Sequence, residues 1–476
     1  MLFRGYEAVI GIEIHVQLST ATKMFCADST AFDAGDNENT SPISVGMPGT
    51  LPTLNKKAVE YSIKTGLALG CDIRKKSVFA RKNYFYPDLS KGYQVSQHDE
   101  PICENGSVTF KVEGVEKTIS ISRAHMEEDA GKSNHHGEYT LINYNRAGIP
   151  LLEIVTGPDL RTPAEAAEYG RTIRQIVRYL DVCDGNLEEG SMRCDCNVSV
   201  RKPGEKFGTR VEIKNINSFR FVEKAIEFEI DRQIDAIESG EKIIQETRLW
   251  DPDKNRTVAM RAKEDAQDYR YFPEPDLLPV IVTEAMLEKY RQELPELPRA
   301  RAFRFQDSHG LPEYDALVLT AEKALADFYE ETAKVSGNFK ASSNWVMTEV
   351  LRELNQANLD VLNSPIKPAQ LGQMIALIDR GTISGKIAKT VFLEMWQTGK
   401  DPEVIVKEKG LVQISDPAAI EKIIDEVLAA NAQNVEDHKT GKKKNLFGFF
   451  VGAVMKASKG QANPELVNKI LLEKLK

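Results

Sequence analysis

Ile10-Gly11-Ile12-Glu13-Ile14-His15-Val16-Gln17-Leu18 alternates without a break between apolar and polar positions. A period of two marks a strand with one buried face. Ile10, Ile12, Ile14, Val16 and Leu18 belong to a core, and Gly11, Glu13, His15 and Gln17 to the opposite face. Glu13 and His15 therefore point the same way, roughly 7 Å apart along the backbone. Two long side chains at that spacing can reach one ion.

A second alternating stretch lies further on. Met192, Cys194, Cys196, Val198 and Val200 interleave with Arg193, Asp195, Asn197 and Ser199, and Val211 and Ile213 flank Glu212. The turn-rich run Lys202-Pro203-Gly204-Glu205-Lys206-Phe207-Gly208 separates the two segments, so they read as a hairpin. A turn centred between Pro203 and Gly204 sets Asp195 opposite Glu212 on the polar face. Opposed like charges destabilise a hairpin, and a bound cation reverses that. A one-residue slip, which a longer loop permits, moves the pair off register.

The third piece is His125-Met126-Glu127-Glu128-Asp129-Ala130-Gly131-Lys132, which follows the strand-like run from Lys117 to Ser122. Gly131-Lys132-Ser133 is not the end of a P-loop. Met126 stands where the first glycine belongs, and three acids occupy the loop that would cradle phosphate. Gathered acids repel by about 4 kcal/mol for a pair 4 Å apart at an effective dielectric of 20. Solvent between them or a shared cation relieves this. Glu13, His15, Glu127, Glu128, Asp195 and Glu212 are thus the candidate catalytic cluster. Glu13, His15, Glu128, Asp195 and Glu212 are its candidate metal ligands. Arg193 and Lys214 share the polar face and either clamp phosphate or balance charge.

The chain has 476 residues, 28% of them charged and 41% hydrophobic, enough for two to four ordinary globular domains. A net charge of −9 argues against nucleic-acid binding over the whole surface. From Lys439 onward, however, nine lysines face two glutamates, a locally basic tail able to contact RNA. The first residues lead straight into a strand without a signal peptide, and no apolar run approaches membrane-spanning length. The six cysteines form no CxxC pair, and Cys194 and Cys196 fall on an apolar strand face. A reducing, cytoplasmic setting and no membrane are the expectation.

Residues 1–292 read as strands, turns and a few helices, among them Pro163 to Tyr179, capped by Thr162, and Ser218 to Glu238. A strand is expected over Leu277–Val282. Helices then dominate 293–400, and a third unit, 401–476, holds helix starts at Asp416-Pro417 and Asn463-Pro464. The class is α+β: an antiparallel-sheet domain, a helical domain and a small helical tail.

Several stretches together resemble one family, the B subunits of bacterial aspartyl/glutamyl-tRNA amidotransferases. They are Gly11 to Leu18, Arg81-Lys82-Asn83-Tyr84-Phe85-Tyr86-Pro87-Asp88, His125 to Lys132, Glu188 to Asp195, Glu212-Ile213-Lys214-Asn215, Asp268 to Pro275, and Lys456 to Pro464. The likeness runs end to end and in order. The archaeal glutamyl-specific relatives carry an inserted synthetase-like domain for which this chain lacks the length.

The resemblance implies a cradle domain on antiparallel sheet. It also implies a heterotrimer with an amidase-type A subunit and a small C subunit. ATP would phosphorylate the side-chain carboxylate of Glu-tRNA(Gln) or Asp-tRNA(Asn), and ammonia would then displace phosphate. The family's metal and phosphorylation site matches Glu13, His15, Glu127, Glu128, Asp195 and Glu212. Mg²⁺ suits the acids and Mn²⁺ or Zn²⁺ suits His15, so the metal stays open. Ser342-Ser343 lacks the glycine-rich setting of an amidase nucleophile, so ammonia is expected from the partner. Lys456 and Lys459 are the candidate tRNA contacts. Lys82, Tyr84, Tyr86, Tyr269, Tyr271 and Phe272 read foremost as aromatic packing, the lysine stem laid along the rings. A tRNA-recruiting scaffold and a metal-dependent phosphohydrolase or nuclease are the competing functions. A concave acidic site argues against the first, and the end-to-end likeness against the second.

Overall fold

A computed structural model describes residues 2–261, 269–414, 416–439, 446–458 and 460–475. Asp268 and Lys459 lie outside the described residues. The chain divides into two compact units, Met1–Leu297 and Pro298–Lys476.

The first unit is built on one nine-stranded sheet. Its strands are β1 (Glu7–Gln17), β2 (Asp72–Ile73), β3 (Cys103–Val112), β4 (Val115–Glu128), β5 (Pro150–Thr156), β6 (Met192–Arg201), β7 (Val211–Ile216), β8 (Thr247–Asp251) and β9 (Arg256–Arg261). The spatial order is β9-β8-β7-β6-β1-β5-β4-β3-β2. All pairings are antiparallel except β7 with β8. β7 and β8 are linked by a helix, the crossover that parallel neighbours require.

β1 sits in the centre of this sheet. Ala8, Ile10, Ile12, Ile14 and Val16 are fully buried or nearly so, while the alternate residues from Gly11 to Gln17 are half-buried. The apolar face packs into a core with α1 (Lys56–Ala68), α2 (Pro163–Tyr179) and α3 (Phe219–Glu238). α2 begins as its sequence signals require: the Thr162 hydroxyl accepts from Glu165 N–H, and Pro163 fills the first turn. α3 is capped likewise by Ser218. Gly66 lets α1 lie close on the sheet, since a Cβ there would stand 2.4 Å from Cys103 Sγ and 2.7 Å from Ile73 Cδ1. The opposite face carries the polar residues that alternate with this core along β1. A small sheet of Ala80–Asn83, Tyr93–Ser96 and Phe272–Pro273 belongs to the same unit.

Three sequence expectations need correction. The acids at 127 and 128 lie on a strand, not in a loop, because β4 runs on to Glu128. The β6–β7 pairing sets Glu212 opposite Asn197, not Asp195. A bulge follows between Cys194 and Cys196, with Asn215 at φ 65°. The offset at Glu212 is already present at Val198 and Val211, next to the loop, so the loop sets it, and the bulge's extra residue shifts the register only beyond that pair. The strand expected over Leu277–Val282 contracts to Val280–Ile281, which pairs with Lys76–Ser77.

The second unit is helical and carries two hydrophobic clusters, one spanning Ala302 to Val406 and one spanning Ile420 to Leu475. Asp416 caps the helix Pro417–Ala430 through Ala418 and Ala419 N–H, and Asn463 caps Pro464–Lys474. Ser342 and Ser343 are buried within the helix Phe339–Trp345. Among the described residues no helix is long and apolar enough to cross a membrane.

Candidate active site

The registers around β1 explain how the polar groups meet. His15 stands opposite Glu153 on β5 and Arg193 on β6, and Glu153 stands opposite His125 on β4. His125, Glu153, His15 and Arg193 thus form one row across four strands, with the carboxylate of Glu153 between the two imidazoles. One step along β1, Glu13 stands opposite Val155 and Asp195. Residues directly opposed on a pleated face have Cβ atoms about 5 Å apart, so both rows are in contact range.

Two trios result. In the first, His15 Nε2 is 3.5 Å from Glu127 Oε1 and 3.5 Å from Glu153 Oε2. His125 Nε2 stands 3.3 Å from Glu153 Oε2. In the second, Glu13, Asp195 and Glu212 converge. Within each trio the potential ligand atoms lie within 4.8 Å of one another. The all-oxygen trio suits a hard divalent cation, and the trio with an imidazole suits a metal of borderline character.

Cationic side chains already temper both trios. Lys214 Nζ is 2.5 Å from Asp195 Oδ2 and 3.0 Å from Glu212 Oε1. Asn197 Nδ2 donates to Glu13 Oε1 at 2.8 Å, and Thr247 Oγ1 donates to Glu212 Oε2 at 2.7 Å. Burial works against a charged His15, yet the hydrogen bond and charge of Glu153, with Glu127 and Asp195, raise its pKa to about 9. Burial and the charge of Glu153 push Glu127 above the usual carboxylate range. Burial likewise raises Glu13, with Glu153 adding to it. Against its own burial, Glu153 is held well below that range by His125 and His15. Lys214 is raised because Asp195 and Glu212 outweigh its burial.

Glu128 stands apart from both trios. Consecutive strand residues point to opposite faces, so Glu128 turns away from Glu127. Lys91 binds its carboxylate, and Val95 N–H donates to it at 3.0 Å. Arg193 is committed to Asp129, at 3.1 Å, which Gln17 also contacts at 3.0 Å. Against burial, the charge and hydrogen bond of Asp129 raise its pKa, with Glu127 and Asp195 adding to them. Lys456 is exposed on the helix Leu446–Ala457.

Glu153 and His125 belong to the site but were not singled out from sequence. Glu153 is the one acid in the run Leu151-Leu152-Glu153-Ile154-Val155, a run that otherwise reads as core. An acid inside an apolar strand was the available signal. Lys82 also belongs here. Its ammonium lies 4.9 Å from the Tyr269 ring, and, against burial, Glu127 raises its pKa. The ammonium also lies 5.9 Å from the Tyr84 ring, so the aromatic packing expected of it is present, with the charge of Glu127 beside it.

Residues 8–288 match the family described as the GatB/GatE catalytic domain, and residues 327–475 match the family described as the GatB domain. Three relatives, each a B subunit of an aspartyl/glutamyl-tRNA(Asn/Gln) amidotransferase, align over nearly all of both chains. That of Bdellovibrio bacteriovorus is 83% identical over 477 residues, covering 100% of each chain. That of Geotalea daltonii is 57% identical, and that of Carboxydothermus hydrogenoformans 55%, each covering 99% of both chains.

Proposed function

The chain belongs to the GatB family of amidotransferase B subunits, and from that premise we propose how its polar sheet face performs the family's tRNA-dependent amidation. The substrate is a tRNA misacylated with Glu or Asp, and the enzyme is a ligase that also consumes ATP. A carboxylate is a poor electrophile, since its charge repels nucleophiles and oxide is a poor leaving group. Phosphorylation removes both obstacles. A side-chain oxygen of the aminoacyl group bonds to the γ-phosphorus as the β–γ bridging P–O bond breaks, releasing ADP. Ammonia then bonds to the acyl carbon, the C–O bond to phosphate breaks, and a proton leaves the nitrogen. Gln-tRNA(Gln) or Asn-tRNA(Asn) is the product.

The two trios are the part of this chain built for that chemistry, and their convergence on one face is the observation that carries the reading. Glu13, Asp195 and Glu212 would hold Mg²⁺, and His15, Glu127 and Glu153 would hold a second divalent ion, Mn²⁺ included. Such ions supply neutralisation of phosphate charge. Lys214 and Lys82 orient phosphate oxygens. Arg193 positions Asp129 at the edge of the face. Ammonia comes from an amidase-type A subunit, steadied by a small C subunit. The tail helices around Lys456 contact tRNA. The six free cysteines fit work in the reducing cytoplasm.

The test uses the assembled enzyme with misacylated tRNA, ATP and ammonia, following phosphate release and amide formation together. Asp195→Asn and Glu127→Gln are expected to lose about 10²–10⁴ in both rates while keeping tRNA affinity. Amidation that survives both changes would leave a tRNA-recruiting scaffold as the better account.

A further inference from the structure

The small sheet of Ala80–Asn83, Tyr93–Ser96 and Phe272–Pro273 is bonded to the end of β4 that carries the acids. Val95 N–H donates to the Glu128 carboxylate at 3.0 Å, Gln94 Nε2 donates to the Glu128 carbonyl at 2.8 Å, and Gln97 Oε1 accepts from Met126 N–H at 3.0 Å. Side chains alternate along a strand. Arg81 pairs with Glu274 at 2.7 Å, and Lys82 turns to the opposite face, where the charge of Glu127 reaches it.

A row of rings runs outward from Lys82. Its ammonium lies 4.9 Å from the Tyr269 centroid and 5.9 Å from that of Tyr84. Tyr269 meets Tyr84 edge-on at 5.9 Å and Tyr271 edge-on at 6.1 Å, and Tyr271 stacks on His98 at 4.0 Å. Arg270, between the two tyrosines, has φ 45°, a left-handed conformation that costs free energy in a residue with a Cβ. Asn83 holds it there. Its N–H donates to the Tyr269 carbonyl and its side-chain amide to the Arg270 carbonyl, both at 2.9 Å. Rings serving only a core would be covered, yet Tyr84, Tyr269 and Tyr271 are each only half-buried. Phe85, next to Tyr84, is 95% exposed, the most of any large apolar side chain among the described residues. Half-covered rings in a row, with a cation at the inner end, form a platform for unpaired bases.

We propose that this platform receives the 3′ end of aminoacyl-tRNA, the terminal base stacked on the tyrosine rings and the side-chain carboxylate of the aminoacyl group set against Lys82. This assignment rests on the tRNA-dependent reading above. The place of the ammonium, between the rings and the acids, selects the occupant. In a charged tRNA the carboxylate hangs a few bonds from the terminal ribose, so a base on the rings delivers it to Lys82 and onward to His15, Glu127 and Glu153. ATP carries three phosphates beyond its ribose, and one ammonium facing Glu127 leaves most of that charge unmatched. The same contact separates substrate from product, because the amide of Gln or Asn offers no charge for Lys82 to meet. The ammonium that meets the carboxylate before phosphorylation meets the acyl phosphate after it.

Equilibrium binding to the assembled enzyme, without ATP, tests the assignment with four RNAs: the uncharged tRNA, the same tRNA trimmed of its terminal adenosine, Glu-tRNA(Gln) and Gln-tRNA(Gln). The parent should lose about five- to hundredfold in affinity on trimming, the range for one stacked base. With Tyr269→Leu and Tyr271→Leu combined, intact and trimmed tRNA should bind within about twofold of each other. Tyr269→Phe with Tyr271→Phe, which keeps the rings, should restore the difference. The parent should prefer Glu-tRNA(Gln) over Gln-tRNA(Gln) by about tenfold or more, and Lys82→Met should bind the two equally. MgADP affinity should stay parental throughout. A full trimming penalty in the folded leucine variant would overturn the assignment. Should that variant fail to fold, the parent's own response decides, because equal binding of intact and trimmed tRNA overturns it as well. Weakened MgADP with the trimming penalty intact would mark ATP as the occupant. Loss of glutamine-driven but not ammonia-driven amidation, with tRNA binding parental, would mark a path for ammonia. Either result overturns the assignment. If the parent binds no tRNA at all, the tRNA-dependent reading itself falls, and this assignment with it.

Discussion

Glu153→Gln probes the polar row across β4, β5, β1 and β6. Glu153 is His15's strongest favourable partner, and together with Glu127 and Asp195 it lifts the imidazole from about 6.5 to about 9. At 1.36 kcal/mol per pKa unit, a protonated His15 contributes about 3 kcal/mol to the metal-free fold. The folded pKa lies above the unfolded one, so this contribution is complete below about pH 6.5. It declines as pH rises and is gone above about pH 9. Glutamine keeps the shape and removes the charge. In the presence of a chelator, the variant should be less stable than the parent by about 2 kcal/mol at pH 6.5. The gap should shrink below about 1 kcal/mol at pH 10, where His15 is neutral in both. Urea unfolding followed by Trp250, buried on β8, reads this once Trp345 and Trp396 are replaced by Phe. A double-mutant cycle with His15→Gln isolates the pair. A gap of equal size at both pH values would refute the argument, because hydrogen-bond shape rather than charge would then account for it.

Glu127→Gln should weaken Mn²⁺ binding about tenfold or more. Glu128→Gln, on the opposite face, should leave it within about threefold, measured by titration of the chelated enzyme. Lys214→Met should destabilise the metal-free protein by about 1–2 kcal/mol, since it removes the cation shared by two half-buried carboxylates that solvent still screens in part. It should also enlarge the thermal stabilisation gained on adding Mg²⁺, because no ammonium then competes for Asp195 and Glu212. A smaller Mg²⁺ effect than in the parent would refute the competition. Gly66→Ala should cost about 1–3 kcal/mol in thermal unfolding, because its Cβ would meet Cys103 Sγ at 2.4 Å. An unchanged melting temperature would mean that α1 has slack against the sheet.

The sequence made β1 legible because its alternation is unbroken and one face is fully apolar. The caps at Thr162, Ser218, Asp416 and Asn463 were legible because a short polar residue before a helix has a local reason to be there. What failed was pairing. The register of β6 with β7 is set by the loop between them, which brings Val198 opposite Val211 rather than Thr209, and a Pro-Gly sequence does not announce the length of its loop. Glu127 and Glu128 are neighbours in sequence yet sit on opposite faces, and only the strand's extension to Glu128 decides which one joins His15. Glu153 stayed hidden because its contribution comes from the strand opposite His15, and cross-strand partners are a tertiary fact.

The central position of β1 also governs how the chain is made. Its two neighbours, β5 and β6, come roughly 130 or more residues later in the chain; at typical synthesis speeds that is on the order of 10 s. For that interval a long, apolar, β-prone segment has no sheet to join, and both trios are missing most of their members. Nascent β1 is therefore a natural client for chaperones near the ribosome, and slowing translation between β1 and β5 would prolong its exposure to aggregation.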